Sequence, residues 1–124
     1  MILVDTSIWI DHLRYGNAAL AGLLNAGQVL AHPFVTGEIA LGSLKSRSDI
    51  LNLLDDLPAV TVASTAEVRA LVDDRRLYSR GIGYVDINLI ASCLLEPGSR
   101  IWTGDNRLST LACELSIRFE PAVN

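Results

Sequence analysis

Short apolar, β-prone runs alternate with longer stretches of helical period along the whole chain, and that alternation constrains the fold most. The runs are Ile2-Leu3-Val4, Val29-Leu30-Ala31, Val60-Thr61-Val62, Arg100-Ile101-Trp102-Thr103 and Ile117-Arg118-Phe119. Between them lie helical patterns with local start and stop signals. Thr6 or Ser7 caps a helix from Ile8 to Arg14. Asn17 caps a second, which stops at Gly27. Pro33 opens a third, through Glu38 to Leu44. Ser48 caps a fourth with Ile50, Leu51, Leu54 and Leu57 on one face, ended by Pro58. Ser64-Thr65-Ala66-Glu67 is a capping box opening a long helix to about Arg80. Gly81-Ile82-Gly83 reads as a hinge-like loop before a helix from Val85 to Glu96, and Leu108, Leu111, Ala112 and Leu115 form a last helical stripe. Strands spaced by helices predict an α/β domain with a short, mostly parallel central sheet flanked by helices. The 124 residues show no linker or repeat, so one domain over 1–124 is expected.

Composition narrows the function classes. The net charge of −4 argues against holding nucleic acid by bulk positive charge. It leaves room for a nuclease, because bound divalent cations reverse the local sign of a carboxylate cluster. Nine of the ten basic residues are Arg, and Lys45 is the one lysine. Cys93 and Cys113 lie in apolar stretches without the spacing of a zinc site, and both are expected to be buried, reduced thiols. Met1-Ile2-Leu3-Val4-Asp5 has no basic leader, and no apolar run is long enough to span a bilayer, so a cytoplasmic protein is expected.

Most of the acids fall at polar helix positions. Asp5, Glu38, Asp86 and Asp105 do not. Asp5 ends the first strand, and Asp105 follows Arg100–Thr103 across Gly104. Ligands of open parallel sheets bind beyond the carboxyl ends of the strands, so these two acids share an edge if their strands are neighbours. Asp86 opens an apolar helix, and Glu38 sits among Phe34, Val35, Ile39 and Leu41, where a lone carboxylate is costly. Each has an ordinary alternative: Asp5 as a helix cap, Asp86 beside a helix N-terminus, Asp105 in a turn with Asn106, Glu38 paired with an Arg. Arg80 and Arg107 are the nearby cations that could pair some of them. Converging carboxylates raise one another's pKa, and a hard divalent cation with oxygen ligands relieves that repulsion. Such a site activates water and neutralises a phosphodiester.

Four stretches carry a resemblance. Ile2-Leu3-Val4-Asp5-Thr6-Ser7, Glu38-Ile39-Ala40-Leu41-Gly42, Asp86-Ile87-Asn88-Leu89-Ile90-Ala91 and Trp102-Thr103-Gly104-Asp105 resemble, in order and spacing, the acidic motifs of PIN-domain ribonucleases. The bare domain is most similar to VapC-type toxins of bacterial toxin–antitoxin pairs. The resemblance implies RNA cleavage with Mg²⁺ or Mn²⁺, a homodimer, and inhibition by a cognate antitoxin. It implies Asp5, Glu38, Asp86 and Asp105 as metal ligands or water-orienting acids, with Thr6 and Thr103 as hydroxyls behind them. After the fourth motif this chain has Asn106-Arg107-Leu108 where many relatives carry a further acid. Arg76 and Arg80, leading toward Asp86, are candidate RNA contacts. Phe34, Ile39, Leu44, Leu51 and Leu54 are candidates for a groove that takes an antitoxin helix.

Three rivals stand beside this reading. A signalling receiver domain needs a lysine at the end of a late strand, and Lys45 lies in an early helical region. A nucleotide-binding domain needs a glycine-rich phosphate loop after the first strand, and there is none. An RNA-processing nuclease outside a toxin pair, or a catalytically idle PIN-like binding module, shares the same motifs.

Overall fold

The computed structural model describes residues 1–122. The elements run β1 (Ile2–Val4), α1 (Thr6–Tyr15), α2 (Ala18–Asn25), β2 (Val29–Leu30), α3 (Pro33–Ala40), α4 (Arg47–Asp56), α5 (Thr65–Arg75), α6 (Tyr84–Leu95), β3 (Arg100–Trp102) and α7 (Asn106–Glu114). The fold is α/β, as the alternation predicts. The sheet order is β2-β1-β3 and both pairings are parallel, with Leu3 opposite Leu30 on one side and Ile101 on the other. Strand β1 is central and buried along its length, which is why it reads as an unbroken apolar run.

Two expected strands shrink to single bridges, Ala31 to Ala59 and Ile101 to Arg118. At Val60-Thr61-Val62 the cause is a diversion of backbone donors. Val60 N–H bonds Ala31 O at 2.9 Å. Thr61 N–H then goes to the Glu96 carboxylate at 2.9 Å, and Ala63 N–H to Ser92 Oγ at 3.2 Å. Side chains of α6 and its C-terminal cap thus take the donors that a further strand needs.

Helix boundaries shift for local reasons. The α1 cap is Asp5 itself, not Thr6 or Ser7. Helix α3 ends at Ala40 rather than Leu44, and Leu41 beyond it is 90% exposed. Ser46, not Ser48, precedes α4, in a left-handed conformation at φ 52°. The capping box of Ser64 and Glu67 forms as expected. Helix α5 stops at Arg75 because Arg76 turns left-handed at φ 53° and sends Leu77 back into the core. Its N–H closes on Val72 O at 3.0 Å.

Helix α6 is the interior helix, buried without a break from Ile87 to Cys93. It packs against α5 and β3, and Leu3, Leu89, Ile90, Ile101, Leu108 and Leu111, all fully buried, belong to one core cluster. Cys93 is buried as expected, whereas Cys113 is an exposed free thiol, because it lies off the Leu108-Leu111-Ala112 stripe that α7 turns inward. Among the described residues no helix is long and apolar enough to cross a membrane.

Candidate active site

The pairing of β1 with β3 brings Asp5 and Asp105 to one sheet edge, and Asp5 N–H bonds Trp102 O across it at 2.9 Å. Asp5 is 5% exposed and can afford burial because three donors converge on its carboxylate. These are Thr6 N–H at 2.7 Å, Ser7 Oγ at 2.9 Å and Thr103 Oγ1 at 2.7 Å. The two hydroxyls in turn accept from the β3 side: Thr103 Oγ1 from Asp105 N–H and Ser7 Oγ from Gly104 N–H, each at 3.0 Å. One network therefore fixes both strand ends relative to each other.

The other acids are held in different ways. Thr6 Oγ1 donates to Glu38 Oε1 at 2.9 Å, tying α1 to α3. Asp105 caps α7, with Oδ1 accepting from Leu108 N–H at 2.8 Å, where the sequence suggested a turn with Asn106. Asp5 likewise caps α1. Asp86 stands in the first turn of α6, part-buried. Its carboxyl is pushed up to about 6, first by burial, then by the charges of Asp5, Asp105 and Glu38. Asp5, Asp105 and Glu38 thus lie near enough to Asp86 for their charges to act on it.

Among the described residues none of the four acids is in an ion pair. That removes Arg as the partner of Glu38, and Arg80 and Arg107 as partners of the rest. Nor do three or more His, Cys, Asp or Glu side chains there close tightly enough to enclose an ion directly. The donor set still fits a hard divalent cation. It consists of oxygens alone, it carries uncompensated negative charge, and a small cation such as Mg²⁺ keeps several waters and needs only one or two direct carboxylates. Unneutralised carboxylates also repel, which opposes a tighter cluster.

Arg80 is committed elsewhere. Its guanidinium donates to both oxygens of Glu114, at 2.7 and 2.9 Å, and so pins the loop before α6 to α7. Its pKa is raised by that hydrogen-bonded pairing. An RNA contact by Arg80 would have to compete with that pairing. Arg76 is exposed beyond the end of α5. Ser7, read in the sequence as a cap and as part of the first motif, is a support of Asp5 that the sequence reading did not assign. Ser7 follows Asp5 by two positions, a spacing that offers a hydroxyl to a strand-end carboxylate.

Part of the expected groove is interior. Ile39 is 0% exposed and faces the core, and Leu54 is 2% exposed because α4 turns it inward. A depression of about 440 Å³ does lie between α3 and α4, lined among others by His32, Thr36, Gly37, Ala40, Leu51 and the edge of Leu54. Phe34 and Leu44 lie outside it. His32 is buried, its Nδ1 accepts from Phe34 N–H at 3.0 Å, and burial holds its pKa below the ordinary value. Its Nε2 has no hydrogen-bond partner among the described residues.

Residues 2–113 match the family model of the PIN domain. The chain is also similar to two curated proteins, each named ribonuclease VapC32, from Mycobacterium tuberculosis strains CDC 1551 / Oshkosh and ATCC 25618 / H37Rv. Identity to each is 45% over 124 residues, covering 100% of both chains.

Proposed function

The chain belongs to the PIN-domain family, and from that premise we propose that it is a metal-dependent endoribonuclease, a single domain over 1–124, acting as the toxin of a toxin–antitoxin pair in the cytoplasm. Asp5, Glu38, Asp86 and Asp105 are the residues that would hold Mg²⁺ or Mn²⁺. The observation that carries the reading is Asp86, pushed up to about 6 by burial and by the three other acids. Perturbed carboxyls of that kind gather at functional sites. Full-length similarity to proteins named ribonuclease supports the substrate class.

A bound divalent cation would lower the pKa of water and offset the charge of the phosphodiester. The rest is the work of this chain. Thr6 N–H, Ser7 and Thr103 hold Asp5 in one orientation. Thr6 Oγ1 aims Glu38, and the α7 N-terminus holds Asp105 through Oδ1. Burial and the three other acids push the Asp86 carboxyl up to about 6, so a cation bound there would displace a proton below that pH.

The test is cleavage of RNA by purified protein with Mg²⁺ or Mn²⁺. Chelation should stop it, and Asp86→Asn should abolish it with the fold intact. Cleavage that survives exhaustive chelation overturns the metal reading, and Asp86→Asn cleaving like wild type overturns the site. The idle binding module predicts RNA binding without cleavage in any metal.

For the partner, the depression between α3 and α4 suits one apolar anchor of an antitoxin helix. Co-purification with the product of an adjacent small reading frame separates a toxin from an RNA-processing nuclease. Light scattering tests the homodimer.

A further inference from the structure

Arg107 lies in the first turn of α7, two residues beyond Asp105. It is in no ion pair with any described acid, in a chain of net charge −4. Its side chain lies across Gly81 instead. A Cβ at Gly81 would collide with the guanidinium Nη1 and stand 3.0 Å from Cζ and 3.3 Å from Cδ. The glycine is thus the seat of the guanidinium, and its φ of +74° is a conformation that glycine adopts freely. The seat belongs to the loop that leads directly into α6 and Asp86.

Arg107, Asn106, Thr110, Arg80 and Ile82 line a cavity of about 220 Å³. That is room for a phosphate group and several waters at about 30 Å³ each. Arg80 is neutralised there by Glu114, and the Thr110 hydroxyl donates to Asn106 O at 2.8 Å. Arg107 is the uncompensated cation of the cavity. An acidic site repels a nucleic acid strand, and fixed positive charge beside it offsets the repulsion and sets the strand's register. Arginine suits the task because its planar fork grips two phosphate oxygens at once.

We infer that this cavity binds an RNA backbone phosphate flanking the scissile one, with Arg107 as the gripping residue. The inference rests on the ribonuclease reading. It concerns a backbone contact, so it predicts grip without base preference.

The test uses short single-stranded RNA oligonucleotides of several sequences. Binding is measured against salt in the Asp86→Asn background, so that strands stay intact, and cleavage kinetics in the otherwise wild-type enzyme. Arg107→Ala should reduce the slope of log affinity against log salt by about 0.7, the value of one single-strand phosphate contact. It should weaken all sequences alike and raise KM with little change in kcat, while the melting temperature stays put. Arg107→Lys should restore the slope and only part of the affinity. An unchanged slope in Arg107→Ala, or weakening of some sequences alone, overturns the inference while the ribonuclease reading stands. If the unsubstituted protein neither binds nor cleaves RNA, the ribonuclease reading falls and the inference falls with it.

Discussion

Asp86→Asn removes one charge from the acid locus with little change of shape, and its effect on stability can be worked from the site. The carboxyl stands at about 6 against an ordinary 3.8, so the folded state holds a proton that the unfolded chain has already lost between those values. Stability therefore falls as pH rises from about 3.8 to about 6, and the full penalty is present above. Taken whole, that displacement corresponds to about 3 kcal/mol at about 1.36 kcal/mol per pH unit. Asp86 is only part-buried, and solvent screening cuts the figure to roughly 1–2 kcal/mol. Asn also gives up an attraction to the α6 N-terminus of about 0.3–1 kcal/mol. The net expectation in EDTA at pH 7.5 is a gain of about 1 kcal/mol, or roughly 3–5 °C in melting temperature for a chain of this size. At pH 3 the gain should vanish, because both forms are then uncharged. Adding Mg²⁺ should raise the wild-type melting temperature by mass action and the variant's much less. Calorimetry at the two pH values, with and without Mg²⁺, reads all of this. A variant that melts below wild type at pH 7.5 in EDTA, by the same margin at pH 3, would refute the reasoning and leave Asp86 a plain helix-terminal acid.

Thr103→Val removes the 2.7 Å donor to Asp5 and the acceptor of Asp105 N–H, and should cost about 1–3 kcal/mol by denaturant titration together with most of the cleavage. Arg80→Ala and Glu114→Gln should each slow cleavage and leave the salt slope of RNA binding nearly unchanged, since the pair braces the loop before α6; a flattened slope in Arg80→Ala would return that residue to the RNA path. Leu51→Asp should leave a folded protein by circular dichroism and weaken antitoxin capture, whereas Leu54→Asp should unfold the chain, because that side chain is in the core. A folded Leu51→Asp variant that binds antitoxin as wild type does would move the docking site elsewhere.

Sequence alone determined the parts of this protein that rest on short-range physics. An apolar triplet ending in Asp5, and a second run ending just before Asp105, marked buried strands with acids at their carboxyl ends. The Ser64–Glu67 capping box was legible because both its hydrogen bonds close within three residues. Glu38 and Asp86 stood out because each is a charge on an apolar helix. Tertiary structure decided whatever depends on partners far along the chain. Val60–Val62 has the composition of a strand, yet Glu96 and Ser92 of a distant segment take its donors. Ser7 looks like a cap until β3 arrives to hand it the Gly104 N–H, 97 residues away. Arg80 and Glu114 meet across 34 residues, and Arg107 settles on Gly81 only when α7 packs beside the loop. Periodicity told which residues of α3 and α4 are apolar; packing chose that Ile39 and Leu54 turn inward and Leu51 stays half-covered. The reason is common to all of these cases. Backbone capping and burial tendency are properties of neighbouring residues, whereas the choice among equally suitable polar and apolar partners is made by the fold that brings them together.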